Sequence, residues 1–128
     1  MGTTNPYTCD AMPGVMGRTN VEIADTYLEA LRSKDPTKAL LSPDVSLRYP
    51  LTPRRLVGKE TLIEYMHSVL LAIDDVKIEQ HLTDGEYVVT LWSLYTVRAT
   101  IPVCSVFRIS EGLIADIRTY FDTRPLLP

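Results

Sequence analysis

The stretch Ile101–Asp122, IPVCSVFRISEGLIADIRTYFD, constrains the fold more than any other part of the chain. Two runs rich in β-branched and aromatic residues flank Ser110-Glu111-Gly112. A short loop ending in Gly suits a hairpin with a glycine bulge, because Gly enters the left-handed region without steric penalty. Both runs are largely apolar, which predicts central strands covered on both faces rather than an edge. The upstream helices need such a surface to pack against.

A chain of 128 residues is expected to form one domain and to bury enough surface to need no disulfide or metal staple. Hydrophobic residues at 45% and charged residues at 23% are globular proportions. A net charge of −3 argues against the basic stripe that nucleic-acid binding requires. Cys9 and Cys104 do not require a disulfide, and the sequence holds no metal-ligand spacing. The apolar runs are too short to span a bilayer, and the first residues lack the order of a signal peptide. The expectation is a soluble, cytoplasmic protein with no membrane or nucleic-acid partner.

Residues 1–18 show no periodicity and read as a mobile arm ahead of a domain over 19–122, with a Pro-rich tail at 123–128. Thr19-Asn20-Val21-Glu22 fits a capping box, and Ile23, Tyr27, Ala30 and Leu31 recur at helical spacing up to about Ser33. Asp35-Pro36 starts a short second helix, about 36–42, since Pro is tolerated at the first helical position. Val45–Tyr49 alternates like a strand stopped by Pro50, and 51–58 reads as a loop. Lys59–Leu71 is a third helix with Leu62, Tyr65, Met66 and Val69 on one face. Strands follow at 76–82 and 87–99, around Thr83-Asp84-Gly85, and Pro102 interrupts before the final hairpin. This order predicts an α+β fold, with three helices on one face of a curved, mostly antiparallel sheet that encloses a pocket.

Several strings, in this order, resemble the SnoaL-like branch of the nuclear-transport-factor-2-like superfamily. They are Tyr27–Leu31 with Lys34-Asp35, Pro43-Asp44-Val45, Pro50–Pro53, Gly58-Lys59-Glu60, Val106–Ile109 with Glu111–Ile114, and Ile117–Asp122. The resemblance implies a cone-shaped sheet around a deep apolar pocket, and often a dimer. It also places family positions. Tyr27 matches the tyrosine of ketosteroid-isomerase-like members, whose base position falls on Tyr49 and whose second acid falls on Ser105. The Asp-Arg-Asp relay of epoxide-hydrolase-like members falls on Leu94, Trp92 and Thr119. The acid that cyclases of this type carry on the last strands is not in place.

Strand alternation assigns the pocket face. With a bulge at Gly112, Val103, Ser105 and Phe107 share the concave face with Ile117, Thr119 and Phe121. Without one, Asp116 and Arg118 enter instead. Thr90 and Trp92 face the cavity from the neighbouring strand, Trp92 as packing or as an aromatic wall for a flat ligand. Tyr27, Tyr49, Ser105 and Thr119 are the candidate catalytic hydroxyls. Arg48, Tyr65, Met66, Phe107 and Phe121 join Thr90 and Trp92 as candidate binding residues. His67 and His81 read as surface residues, Arg54 and Arg55 as solvated, and Cys104 as pointing away from the pocket. Tyr95, Cys104 and Val106 make the outer sheet face apolar enough to predict a homodimer.

A pocket rich in hydroxyls and poor in acids suits orienting an apolar molecule more than strong acid–base chemistry. Two readings follow. One is a cofactor-independent isomerase or cyclase of secondary metabolism, acting on a small apolar polyketide- or terpenoid-like substrate. The other is a non-catalytic ligand-binding or interaction protein whose cavity is filled by its own side chains.

Overall fold

A computed structural model describes residues 18–51 and 53–126. The expected arm over 1–18 falls almost wholly outside them. Helix α1 (Asn20–Ser33) begins as its sequence dictates. Thr19 Oγ1 accepts from the Glu22 amide at 3.1 Å, and Glu22 Oε1 accepts from the Thr19 amide at 2.8 Å. The helix ends at Lys34, in the left-handed region at φ 61°. Ile23, Tyr27, Ala30 and Leu31 are buried, as their spacing predicts.

The expected second helix is a single 3₁₀ turn, Pro36–Lys38. Ala39 returns to extended backbone, and strand β1 (Leu41–Arg48) starts four residues earlier than alternation indicates. The pairing of β1 is irregular between Leu41 and Ser46, so Pro43 sits where the ladder is already interrupted and its missing amide costs no bond. The loop after β1 contains a two-residue strand, β2 (Leu56–Val57), before helix α2 (Lys59–Leu70).

Four strands complete the sheet: β3 (Asp75–Asp84), β4 (Tyr87–Tyr95), β5 (Thr100–Ser110) and β6 (Leu113–Tyr120). The curved, open sheet runs β2-β1-β6-β5-β4-β3. Strands β3 to β6 pair antiparallel in sequence, and β1 adds parallel to β6. Pro102 lies inside β5 rather than before it. Strand β6 ends at Tyr120, opposite Cys104, so β5 has no partner on that side at Pro102.

The last hairpin has its bulge elsewhere than the sequence indicates. Ser110 pairs directly with Leu113, leaving a two-residue turn in which Glu111 (φ 54°) and Gly112 (φ 77°) are both left-handed, the conformation that matches strand twist. The extra residue is Ala115, because Ile109 pairs with Ile114 while Arg108 pairs with Asp116. This bulge restores the expected facing. Ser105 opposes Thr119, and Phe107 opposes Ile117, on the concave side. Asp116 and Arg118 point outward.

Both helices and the concave face share one core. Phe107, Leu28, Leu47, Leu62, Met66 and Ile117 are among its fully buried side chains. Lys34 ties the helices together. Its ammonium donates to the carbonyl oxygens of Leu70, at 2.6 Å, and Ile73 at the end of α2, where orphan carbonyls favour a cation. Of the residues read as a tail, 123–126 are described. A 3₁₀ turn at Arg124–Leu126 brings Leu126 onto the core, and Arg124 grips Asp122 through two nitrogens. Among the described residues no helix is long and apolar enough to cross a membrane.

Candidate active site

The mouth of the sheet, the inner face of α1 and the C-terminal half of α2 enclose a cavity of about 240 Å³. Tyr27 and Leu31 enter it from α1, and Leu47 and Tyr49 from the end of β1. Tyr65, Ser68 and Val69 enter from α2, with Ala72 and Ile73 in the turn that Lys34 holds. Trp92, Leu94, Val103 and Thr119 form the sheet wall, while Leu51, Phe121 and Leu126 rim the opening. Among the described residues no lining side chain carries a formal charge. A cavity of this kind admits roughly a dozen non-hydrogen atoms at interior packing density.

Three tyrosines meet here. Tyr27 is 4% exposed, and its ring stands edge-on to Phe107 with centroids 5.6 Å apart. Phe107 therefore fixes the ring from behind without touching the cavity. Burial, and the nearby Tyr49, push the Tyr27 hydroxyl well above the ordinary tyrosine pKa. Burial likewise raises Tyr65, with Tyr27 and Tyr49 adding to it, and the Tyr49 and Tyr65 rings lie 4.8 Å apart. At neutral pH Tyr27 and Tyr65 are thus neutral donors and not bases. Among the described residues no hydrogen bond engages the Tyr27 hydroxyl, although this side chain is almost fully buried and lines the cavity.

On the sheet wall, Trp92 Nε1–H donates to Ser105 Oγ at 3.0 Å, and Ser105 Oγ lies 3.1 Å from Thr119 Oγ1. Ser105 is fully buried behind the wall. It orients Trp92 and Thr119 and does not itself face the cavity. Of the four expected catalytic hydroxyls, then, Tyr27, Tyr49 and Thr119 line the cavity and Ser105 supports them. Of the expected binding residues, Tyr65, Trp92 and Phe121 line it. Met66 and Phe107 are core, because the helix and sheet close over them. Arg48 is exposed outside the cavity, since Leu47 takes the inward position of β1.

Thr90 is on the concave face but covered by α1, and it serves a different contact. Its Oγ1 lies 2.9 Å from His81 Nδ1, while His81 Nε2 lies 2.9 Å from Asp25 Oδ1. The approach to Asp25 is an ion-pair contact and not a formed hydrogen bond, since Asp25 Oδ1 has no hydrogen-bond partner among the described residues. His81 therefore pins α1 to β3 and β4 instead of lying on the surface. The bulge at Glu79, between the pairs Ile78–Trp92 and Gln80–Leu91, turns it inward. Nothing in the local sequence signals that bulge. The rim residues Leu51 and Leu126 carry no signal in the sequence, because both sit in segments without periodicity. Leu94 was legible, two residues from Trp92 on one strand.

Among the described residues no group of three or more His, Cys, Asp or Glu is placed to hold a metal. Residues 24–117 match the family model described as SnoaL-like domain. No curated protein matches the chain. Solved structures share the fold. A candidate SnoaL-like polyketide cyclase from Jannaschia sp. CCS1 superposes with a TM-score of 0.75 at 14% identity, over 84% of this chain and 88% of that one. A candidate ketosteroid isomerase from Kribbella flavida gives 0.72 at 18% identity, over 80% and 77%. An LEH-like epoxide hydrolase of M. tuberculosis gives 0.68 at 24% identity, over 83% and 84%.

Proposed function

Since the chain belongs to the SnoaL-like family, we propose that it is a cofactor-independent isomerase or cyclase. Its substrate is a small polyketide- or terpenoid-like molecule whose apolar body fills the cavity. The observation that carries this reading is the Tyr27 hydroxyl: it belongs to a buried side chain, faces the cavity, and has no hydrogen-bond partner among the described residues. Such a donor stabilises negative charge that develops on a substrate oxygen, and in a water-poor cavity it does so more strongly than water would. Thr119, anchored by Ser105, is a second donor on the opposite wall. The apolar walls hold a flexible substrate in a reactive conformer, which lowers the barrier further.

The positions that the family's acid–base relays would occupy here carry Tyr49, Ser105, Leu94, Trp92 and Thr119. Among the described residues no carboxylate lines the cavity. The reaction that fits is therefore one in which the substrate's own carbon acid is already activated, such as closure of a poly-carbonyl chain. The same absence of carboxylates favours the second reading, a ligand-binding protein without turnover. Single-turnover incubation with tightly bound candidates separates the two, because a binder returns its ligand unchanged.

The protein is further proposed to work as a homodimer through the convex sheet face. Leu82, Leu91 and Tyr120 are 52%, 37% and 54% exposed there, beside half-buried Cys104 and Val106. Sedimentation at micromolar concentration is expected to show a dimer that Leu91→Lys dissociates. A parent that stays monomeric contradicts this.

A further inference from the structure

Strands β1 and β6 part before β6 ends. Their last pair is Arg48–Arg118, whereas β6 continues through Thr119 to Tyr120, held on its other side by Cys104. Pro50, which has no amide hydrogen, follows Tyr49 and prevents the ladder from continuing. The divergence leaves a cleft of about 350 Å³ between Tyr49-Pro50 and Thr119-Tyr120, with Arg48 at its side. Tyr49 and Thr119 border both this cleft and the main cavity, so the two spaces adjoin at these side chains.

The charges outside this gap are unbalanced. Arg48 and Arg118 are register partners that both point outward, because their neighbours Leu47 and Ile117 are buried at 1% and 0% exposure. Like charges directly opposite each other repel. Arg118 has Asp116 at 3.8 Å, a carboxylate that also accepts from the Ser46 hydroxyl. Among the described residues no carboxylate pairs with Arg48, and its guanidinium fork is free to take one.

Resting on the function proposed above, we infer that the substrate is an amphiphile: its apolar body lies in the cavity, and an anionic carboxylate tail passes between Tyr49 and Thr119 to Arg48. The charge-free cavity rejects the anion, while the cleft receives it. The substrate class is thus narrowed to apolar molecules that keep a free acid.

The test uses the chain's single tryptophan, Trp92, which lines the cavity. Its fluorescence is titrated with octanoate and with neutral 2-octanone, in the parent, Arg48→Gln and the exposed control Arg98→Gln. The parent is expected to bind octanoate more tightly than 2-octanone. Arg48→Gln is expected to weaken octanoate by about 1.5- to fivefold, the scale of a solvent-facing ion pair, and to leave 2-octanone unchanged. Arg98→Gln is expected to change neither. If 2-octanone binds but Arg48→Gln leaves octanoate affinity at the parent value, the tail subsite is refuted and the cavity reading stands. Equal loss in Arg98→Gln also refutes it, since a general positive field then accounts for the preference. If neither compound perturbs Trp92, the cavity reading and the subsite fall together.

Discussion

Replacing Tyr27 by Phe removes one oxygen and nothing else, and the structure predicts opposite signs for its effects on activity and stability. The ring stays edge-on to Phe107, so packing is retained. Among the described residues the hydroxyl has no partner to lose, and it faces the cavity, so its removal forfeits no hydrogen bond within the fold. Tyr27→Phe should therefore fold at least as stably as the parent. If it recovers 1 kcal/mol, the melting temperature rises by about 3–6 °C for a chain of this size. Turnover should fall instead. A donor aimed at an oxyanion is worth about 2.7–4 kcal/mol, a factor of about 10²–10³ in rate. The assay is paired: thermal unfolding followed by circular dichroism, and single-turnover kinetics on a converted substrate. A variant that melts well below the parent shows that the hydroxyl is structural. A variant that turns over at the parent rate shows that it meets no developing charge. Either result refutes the assignment.

Lys34 combines a left-handed backbone with an ammonium that caps α2, so Lys34→Met should lose about 1.5–3 kcal/mol in urea unfolding, the scale of hydrogen bonds to a charged group. Lys34→Gly should lose less, because Gly relieves the φ of 61° while forfeiting the same bonds. Asp122 is held down to a pKa of about 2 by its hydrogen bonds to Arg124. A depressed carboxylate supports the fold above its unfolded pKa of about 3.9 and loses that support as pH falls through about 2. The Asp122 carboxyl resonance should therefore titrate near 2 in the parent and return toward the ordinary value in Arg124→Gln. Deleting Ala115 removes the extra residue and leaves a regular ladder in which Arg108 still pairs with Asp116 and Phe107 with Ile117; the variant is expected to fold with Asp116 and Arg118 still outward, judged by retained amide dispersion in NMR, and a collapsed spectrum would contradict this register.

The parts of the fold that were legible are those in which one periodicity decides the outcome. The helical spacing of Ile23, Tyr27, Ala30 and Leu31 and the capping box at Thr19 needed no tertiary information. Alternation through 103–107 and 117–121 identified the concave face. What escaped depends on single-residue irregularities. Ala115 carries the bulge expected at Gly112, yet any small residue on that strand would serve, so composition does not mark it. Pro36 opens a helix by local rules, but Leu41 reaches β6 as a strand and shortens that helix to one turn, a tertiary override of propensity. At the site, residue types were readable but depth was not. Ser105, Phe107 and Met66 share the inward face with Thr119 and Tyr65, and only the curvature of the sheet decides which of them reach the cavity. His81 depended on the Glu79 bulge in the same way.

Tyr27 is expected to donate a hydrogen bond to a carbonyl oxygen of a ligand in the cavity. The decisive measurement is the infrared carbonyl stretch of bound, isotope-labelled 2-octanone in the parent and in Tyr27→Phe. A lower frequency is expected in the parent than in the variant, because a donated hydrogen bond weakens the C=O bond. The same frequency in both proteins, with the ligand bound in both, would contradict it.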